Sequence, residues 1–569
     1  MQPPRNLVSP RLDCVLLALV LLVAAGLRVD GIGFGLPALN DADEPLFVGT
    51  ALEMLAGPSL NPGWFGHPGT VTFYSLALLF AAVGAVGVAT GQFADMTAFG
   101  AAIYADPALV ILPGRLMMAL FGIACIWLTF RIGERLGDSR IGLTAAAILA
   151  VNAVHIEYSQ IIRTDMQASF FMLLCTLAAL QIAKDGRRRH YLLAGLFVGL
   201  GCATKWPAAT IAIAVIGGAI AAPGDARSRW QDLALFAASA VVTLIAVSPY
   251  LLIDHATVLA NLGGEARPLH PGATGQGFLA NLGWYIGAPL FTSLGVAGLV
   301  LIVIGLDWRV PGDRRWTYVI LPFSLAFLLI IALQSLRWER WVLPLLPFLA
   351  LAAARALHGL AAHLPARWAP AATGAMLLLL LAPMIDTTRT EAVERRTDTR
   401  QLASAWLRAH APPGSRILIE HAAFDLLSEP WSLRFPLGAA GCVDVHATLA
   451  GRIQYSEVEG RRSGRAIVDI GHVDMARLDS CRADFAVVSN HIRYRADARH
   501  YRKELARYDR LLAGGTLRFR AAPLPGARSG PEIAIIELAP ANRPPAPVKS
   551  STAAPRPEVR QTFARPTFD

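Results

Sequence analysis

Long apolar runs separated by short polar loops dominate the hydrophobic pattern of the chain. Runs such as "CVLLALVLLVAAG", "MMALFGIACIWLTF" and "MLLLLLAPMI" extend to about 17–22 apolar residues, which is the length that crosses a bilayer. The pattern predicts a polytopic α-helical membrane protein with about 11 transmembrane helices, near residues 14–29, 112–130, 141–157, 166–183, 191–204, 207–222, 231–252, 285–306, 317–335, 342–360 and 369–386.

The first apolar run has two interpretations. Arg5 and Arg11 precede it, as basic residues precede the core of a cleaved signal peptide. No small-x-small cleavage site is obvious before the next polar loop, and many further spans follow. We therefore interpret it as a retained first span.

Composition and charge place the chain in a membrane and set its expected orientation. Hydrophobic residues make up 54% and charged residues only 16%, and the formal charge is +10. Many of the basic residues lie in short loops, which favours membrane topology over nucleic-acid binding. Residues 30–68 contain no Lys or Arg, so we expect them on the exoplasmic side. The basic loops expected on the cytoplasmic side are 131–140, 184–190, 224–230 and 307–316.

The apolar stretch 69–91 decides whether this orientation is consistent. A single full crossing there would reverse every later loop and place the basic loops outside. We therefore predict a juxtamembrane or re-entrant helix, within a first exoplasmic loop of residues 30–111.

After the last span, residues 387–540 are expected outside as a small α/β domain. "TRQLASAWLRAHAPPG" has the pattern of an amphipathic helix ended by Pro-Pro-Gly. "SRILIE", "ADFAVVS" and "EIAIIEL" are typical of strands. Residues 541–569, rich in Pro, Ala, Ser and Arg, are predicted to be a disordered tail. Residues 1–386 form the membrane domain in this interpretation.

Two cysteines lie in the polar C-terminal part, Cys442 and Cys481. A disulfide between them is possible if this part is exported. The sequence has no CxxC or Cys/His spacing, which argues against a structural zinc site.

Unusual polar residues gather on the predicted exoplasmic side, where ionisable groups are candidates for function. Each also has a purely structural interpretation. An acid at 43 or 44 could cap the helix 45–56, and His67 could be a turn residue. Arg163 and Asp165 could be an interfacial ion pair, and the other cations could reach lipid headgroups. The set comprises Asp41, Asp43, Glu44, His67, Arg163, Asp165, Lys205, Arg337 and Arg340.

Together, these groups favour a reaction of an anionic, lipid-bound substrate. Cations would hold a phosphate, and a carboxylate would take a proton from a hydroxyl or an amine. Because the acids could also supply oxygen ligands, a divalent metal ion is possible, with Asp43, Glu44 and Asp165 as candidate ligands.

Five stretches, in this order along the chain, resemble the GT-C superfamily of polyprenyl-phosphate-sugar-dependent glycosyltransferases, especially its protein mannosyltransferase and aminoarabinose transferase branch. They are "DADE" with its downstream "ALEM", "GHPGT", "IIRTDMQASFFMLL", "GLGCATKWPA" and "RWERWVLPLLPFLALAAA". Three positions depart from the family pattern: Pro45 after the Asp-Glu pair, Gly69 in "HPGT" and Trp206 in "TKW".

The resemblance implies a role for each matching residue. Asp43 would be the general base, with Glu44 supporting it or a metal. Arg163, Lys205, Arg337 and Arg340 would hold the donor phosphate, and Asp41, His67 and Asp165 would line the cavity.

The implied activity is inverting transfer of a sugar from a polyprenyl-phosphate-linked donor to an acceptor (lipid, glycan or protein) on the exoplasmic face of the cytoplasmic membrane. Two alternatives from other classes stay open. The protein could be a transporter or flippase of an anionic lipid-linked substrate, although no internal repeat is visible. It could also be a non-catalytic membrane scaffold.

Overall fold

The computed structural model describes residues 10–136, 138–306, 314–421, 423–449 and 469–538. The predicted tail 541–569 and much of the loop 307–316 lie outside the described residues. The chain divides into two units, one of Met1–Gly33 and Asp43–Ala392 and one of Phe34–Ala42 and Val393–Asp569. The first unit is helical, and the second contains the only β-sheet in the described part of the chain.

Helices occupy each of the predicted apolar segments of the first unit. They are α1 (Pro10–Val29), α2 (Glu44–Ala56), α3 (Thr70–Ala89), α4 (Met96–Ala105), α5 (Ala108–Arg135), α6 (Ser139–Ala150), α7 (Ala153–Ser159), α8 (Thr164–Asp185), α9 (Arg188–Thr204), α10 (Ala212–Ala221), α11 (Ala226–Val247), α12 (Tyr250–Ile253), α13 (His255–Glu265), α14 (Phe278–Tyr285), α15 (Phe291–Gly305), α16 (Leu321–Ala332), α17 (Leu346–Ala362) and α18 (Ala369–Arg396).

Small residues let neighbouring helices approach closely, as membrane helices commonly do. A side chain at Gly195 of α9 would begin 2.5 Å from the carbonyl oxygen of Phe236 in α11. One turn later, a side chain at Gly199 would begin 2.6 Å from the carbonyl oxygen of Ala240. Glycine at both positions therefore allows α9 and α11 to pack backbone against backbone.

Seven helices of the described chain are long and apolar enough to cross a membrane, and an eighth span results if α6 and α7, bent by 66°, are counted as one. The protein is therefore a multi-pass membrane protein. Three shorter apolar helices, Trp206–Ala221, Trp316–Ala332 and Leu346–Ala362, lie over further predicted spans. The predicted number of about eleven crossings stays a prediction.

The predicted juxtamembrane segment forms a hairpin of α3 and α4. Helix α3 has the length and the hydropathy of a span. However, its start is tied to the end of α9, and a side chain at Gly114 near the start of α5 would begin 3.3 Å from Leu76 of α3. In between, Phe99 of α4 packs back against α3 at Gly84. The starts of α3 and α5 therefore lie side by side, so the chain enters α5 near the place where it entered α3. This geometry supports the predicted absence of a net crossing.

The second unit is built on a six-stranded sheet in the order β3-β2-β1-β4-β6-β5. Strand β1 pairs in parallel with β2 and with β4, and the other pairs are antiparallel. Its strands are β1 (Arg416–Ile419), β2 (Ser432–Pro436), β3 (Cys442–Asp444), β4 (Phe485–Val488), β5 (Thr516–Ala521) and β6 (Ile533–Glu537). Its helices are α19 (Thr399–His410), α20 (Val445–Leu449), α21 (His491–Ala496) and α22 (Arg502–Leu512).

The predicted helix and the three predicted strands of this unit are confirmed. Helix α19 begins after Asp398, whose side chain accepts a hydrogen bond from the backbone N–H of Arg400, as a helix cap does. A disulfide joins Cys442 of β3 to Cys481, the pairing that the sequence left open. Strands β2, β3 and β5 were not predicted.

A fully hydrogen-bonded carboxylate lies at the end of β1. Glu420 is only 6% exposed. It accepts hydrogen bonds from the backbone N–H of Ile470 at 3.1 Å, from the Tyr508 hydroxyl at 2.5 Å and from the two N–H groups directly after β4 at 2.7 and 3.1 Å. Burial and the neighbouring Asp469 raise the pKa of Glu420 to about 7. This carboxylate connects β1, β4 and α22.

Candidate active site in the membrane unit

Asp43, the proposed base, occupies the position before α2, but its side chain does not cap the helix. Its side chain accepts no backbone hydrogen bond from the helix. Instead, one carboxylate oxygen lies 2.7 Å from the guanidinium of Arg163, which precedes α8. The Asp43 side chain is 41% exposed and that of Arg163 is 12% exposed. The interpretation of Asp43 as a helix cap alone is therefore wrong.

The second carboxylate, Asp165, lies in the first turn of α8 and pairs with Lys205. The Lys205 ammonium is 2.5 Å from the Asp165 carboxylate, and the two side chains are 10% and 5% exposed. In the structure, Arg163 and Asp165 thus pair with residues elsewhere in the chain. Their interpretation as one local ion pair is wrong.

Backbone hydrogen bonds hold two of the predicted motifs together. The N–H of Trp206 donates to the carbonyl oxygen of His67 at 2.8 Å, and the N–H of Gly69 donates to that of Thr204 at 3.1 Å. Lys205 has extended backbone between the end of α9 and the next helical turn. "GHPGT" and "ATKWP" therefore form one short two-stranded contact, which fixes Lys205 beside the first loop.

His67 lies against this contact as a neutral imidazole. Its Nδ1 is 3.3 Å from the hydroxyl of Thr164, and its ring lies 5.1 Å from that of Trp64 and 6.3 Å from that of Phe47. Burial, and then the charge of Lys205, hold the pKa of His67 well below its ordinary value. His67 contributes a hydrogen-bonding group but no charge at neutral pH.

The two arginines of "RWERW" differ in their surroundings. The guanidinium of Arg340 lies 4.4 Å from the ring centre of Trp338, and its buried Nε has no hydrogen-bond partner among the described residues. The guanidinium of Arg337 lies 5.0 Å from the ring centre of Trp284 instead. Arg340 belongs to the charge cluster around Asp43, because its charge is among those that act most strongly on the Asp43 carboxylate.

The cluster carries an excess of positive charge. Burial alone would raise the pKa of Asp43, but the charges of Arg163 and then Arg340 outweigh it and lower that pKa below its ordinary value. Asp43 is therefore ionised at neutral pH. Lys205 adds to the positive charges that act on Asp43, and Asp165, itself paired with Lys205, opposes them. The immediate surroundings of the Asp43 carboxylate are therefore mainly cationic, which suits an anionic ligand.

Glu44 is used differently from its neighbour. It is fully buried, and its two oxygens accept charged hydrogen bonds from Arg115 of α5 at 2.8 and 2.6 Å. One of these oxygens also accepts from the backbone N–H of Ile162 at 3.1 Å. Glu44 thus joins α2, α5 and the segment before α8. This geometry gives no support to Glu44 as a base or a metal ligand.

The predicted metal site has no matching ligand set. Among the described residues, no group of three or more His, Cys, Asp or Glu side chains could hold a metal ion. Asp43, Glu44 and Asp165 each face a cationic side chain, which disfavours a further cation there. Asp41 belongs to the second unit and is partly exposed. Its predicted place in the cavity stays a prediction.

Comparisons with known proteins identify the fold. The model of the family described as dolichyl-phosphate-mannose-protein mannosyltransferase matches residues 93–253. No curated protein matches the sequence. ArnT from Cupriavidus metallidurans in the apo state has a TM-score of 0.53 at 14% identity, over 93% of this chain and 99% of that one. The same protein bound to undecaprenyl phosphate has a TM-score of 0.52 at 14% identity, over 94% and 100%.

A third structure agrees with these two. The oligosaccharyltransferase AglB from Archaeoglobus fulgidus, in complex with an inhibitory peptide and a dolichol-phosphate, has a TM-score of 0.51 at 12% identity, over 90% of this chain and 73% of that one. This chain has the GT-C fold. The fold that the resemblance implied is thereby confirmed. Within the GT-C fold, the Asp43 cluster is formed by the first loop and by the starts or ends of membrane helices.

Two buried arginines that hold this part of the fold together were not predicted from the sequence. Arg115 lies within the apolar run of α5, and Arg28 lies near the end of α1. Both side chains are fully buried. Their signal was available, because an arginine within an apolar span is costly and is a candidate for function.

Proposed function

We propose that the protein transfers a sugar from a polyprenyl-phosphate donor to an acceptor on the exoplasmic face of the cytoplasmic membrane. The observation that carries this proposal is the cluster in which Asp43 and Asp165 meet Arg163, Lys205 and Arg340. Its excess positive charge suits one phosphate. The solved structures with the same fold that hold undecaprenyl phosphate or dolichol-phosphate support this choice of ligand.

The chemistry is a single displacement with inversion. Asp43 accepts the proton of the acceptor hydroxyl or amine. The acceptor oxygen or nitrogen bonds to the anomeric carbon, while the bond between that carbon and the phosphate oxygen breaks. The polyprenyl phosphate leaves with the bonding electron pair. Because the pKa of Asp43 is lowered, the residue is deprotonated at neutral pH and ready for this step.

The cations stabilise the departing phosphate. Arg340 is the strongest candidate, since its Nε has no hydrogen-bond partner in the described part of the chain and Trp338 supports its guanidinium. Lys205 and Arg163 add positive charge but are held in place by Asp165 and Asp43. Arg337 lies on Trp284 and is left out of this proposal.

Asp43→Asn tests the mechanism. We expect at least a ~10³-fold loss of transfer, with unchanged insertion and undecaprenyl phosphate binding, because the amide keeps the shape and loses the base. Mass spectrometry of lipids that copurify with the protein identifies the donor, and glycosidic bond formation is then measured. Asp95→Asn, which keeps a capping side chain before α4, is the control and should leave transfer unchanged. Near-normal turnover by Asp43→Asn removes Asp43 from the mechanism, and movement of label across the bilayer without bond formation indicates a transporter.

The exoplasmic location rests on the charge pattern and on the Cys442–Cys481 disulfide, since disulfides form in oxidising compartments. Labelling with a membrane-impermeant maleimide tests it. Gly100→Cys in α4 should react from outside, whereas Ser228→Cys, in a predicted cytoplasmic loop, should react only after permeabilisation. Labelling of Gly100→Cys only after permeabilisation rejects the proposed topology of α3 and α4.

A further inference from the structure

A buried arginine closes the break between α6 and α7. Arg28, near the end of α1, is 0% exposed, and no carboxylate of the described chain pairs with it. Its guanidinium donates to the carbonyl oxygens of Leu149 and Ala150 at 3.4 and 3.1 Å. These are the last two carbonyls of α6, where the chain bends by 66° into α7. Arg28 thus satisfies oxygens that no continuing helix satisfies.

The same guanidinium also holds α7. Its Nη2 lies 2.8 Å from Nδ1 of His155, and its Nε donates to the hydroxyl of Ser159 at 3.3 Å. Because arginine can only donate, Nδ1 of His155 is the acceptor. The Gln160 amide donates back to the carbonyl oxygens of Arg28 and Asp30 at 3.0 and 2.7 Å. Both the side chain and the backbone of Arg28 therefore fix α7 against α1.

The end of α7 leads directly to the proposed site. Two residues after Gln160, the N–H of Ile162 donates to Glu44 at 3.1 Å, and the next residue is Arg163, 2.7 Å from Asp43. The short segment that carries Arg163 is thus held at one end by the Arg28 cluster and at the other by the carboxylate of Glu44. No other helix lies between α7 and Arg163 in the chain.

We propose that Arg28 is a positioning residue: by fixing the direction of α7, it sets where Arg163 meets Asp43, and so how well the cluster holds a polyprenyl phosphate. This inference rests on the proposed function. A guanidinium is suited to the task because its five N–H groups form a rigid fork, whereas lysine offers three donors at one point. This fork reaches acceptors on α6, on α7 and, through the carbonyl oxygen of Ala24 at 3.0 Å, on α1 itself. A buried charge is costly and calls for such a reason.

The test measures binding of undecaprenyl phosphate to the full-length protein in nanodiscs by intrinsic tryptophan fluorescence. Arg28→Met should raise the Kd by more than about tenfold, and Arg28→Lys should recover part of that loss. Ser324→Ala, which removes a buried hydrogen bond from α16 to the carbonyl oxygen of Ile320, away from the helices that Arg28 contacts, is the stability control. It should lower the Tm without changing the Kd. Arg28→Met with a wild-type Kd overturns the inference, and so does an equal rise in Kd for Ser324→Ala.

A second variant perturbs the cluster while keeping Arg28, in case Arg28→Met does not fold. A methyl group at Gly122 of α5 would begin 2.4 Å from the hydroxyl of Ser159 and 3.2 Å from Nε of Arg28. Gly122→Ala should therefore also raise the Kd several-fold. Gly26→Ala, two residues before Arg28 and with open space around it, should not. Equal Kd values for these two variants overturn the inference.

The wild-type protein separates this inference from the proposed function. Absence of undecaprenyl phosphate binding by the wild-type protein counts against the proposed function itself. Binding by the wild-type protein that Arg28→Met and Gly122→Ala leave unchanged counts only against the positioning role of Arg28.

Discussion

Two clusters of this protein, one around Glu420 and one around Asp43, use their carboxylates in opposite ways. In the second unit, Glu420 accepts four hydrogen bonds from neighbouring backbone and side-chain groups. In the membrane unit, Asp43 and Asp165 each pair with one cation, Asp43 keeps 41% of its side chain exposed, and Arg340 nearby retains an unused donor. A carboxylate whose bonds are completed within the fold stabilises that fold. A cluster with excess charge and an unused donor is suited to a ligand.

The largest expected effect concerns the Glu420 cluster, whose hydrogen bonds are completed within the fold. Glu420→Ala leaves several buried donors without an acceptor, so we expect it to destabilise the second unit by about 3–5 kcal/mol. Hydrogen exchange of β1 and β4 in the full-length protein measures this. Asp479→Ala, at a 70% exposed side chain, should cost less than about 0.5 kcal/mol. Undecaprenyl phosphate binding should stay unchanged in both variants; a lower affinity in Glu420→Ala alone contradicts a purely structural role.

Substitutions in the Asp43 cluster should change ligand affinity rather than the stability of the fold. Arg340→Ala removes a charged donor from the site, so we expect it to weaken undecaprenyl phosphate binding by about 10–100-fold, or roughly 1.5–3 kcal/mol, with little change in Tm. Arg337→Ala is the matched control from the same motif and should change the Kd less than about threefold. Similar losses for both arginines indicate that the site extends to Trp284 and that Arg337 was wrongly left out.

A smaller effect depends on pH. The folded-state pKa of Glu420 is about 7, above its ordinary value of 4.5, so the folded protein holds this proton more tightly than the unfolded chain. The stability that this proton contributes is present below pH 4.5 and is lost as the pH rises to about 7. The protection of the β1 amides against hydrogen exchange, measured relative to the unfolded chain at the same pH, should fall over this range. Glu420→Gln should flatten the dependence of stability on pH. An unchanged pH dependence in that variant assigns the effect to another titrating group.

The sequence predicted those parts of the fold that continuous apolar runs encode. The membrane helices, and the buried strands β1, β4 and β6, are such runs. Strand β5 was missed because much of it is exposed and Arg518 and Arg520 interrupt its pattern, and β3 because it has only three residues. The break between α6 and α7 was also missed. Asn152 caps α7 there, but one asparagine within a long apolar run is a weak signal.

For the site, the sequence predicted which residues take part better than how they pair. Motif order grouped Asp43, Arg163, Asp165, Lys205 and Arg340, and the structure brings the charges of these five residues close together. Their roles stay a prediction. The neighbours Arg163 and Asp165 were considered a local pair, but α8 begins between them and turns their side chains to different partners. Glu44 was grouped with Asp43 because they are adjacent, yet α2 directs it to Arg115. Such pairing is decided by tertiary structure.

The hairpin of α3 and α4 has a consequence for how proteins of this fold can diversify. With no net crossing by this hairpin, as we predict, residues 70–107 can be lengthened, shortened or replaced without inverting any later helix. The surroundings of the proposed site on the first-loop side can thus change in evolution while the helices that supply Arg163, Lys205 and Arg340 keep their direction.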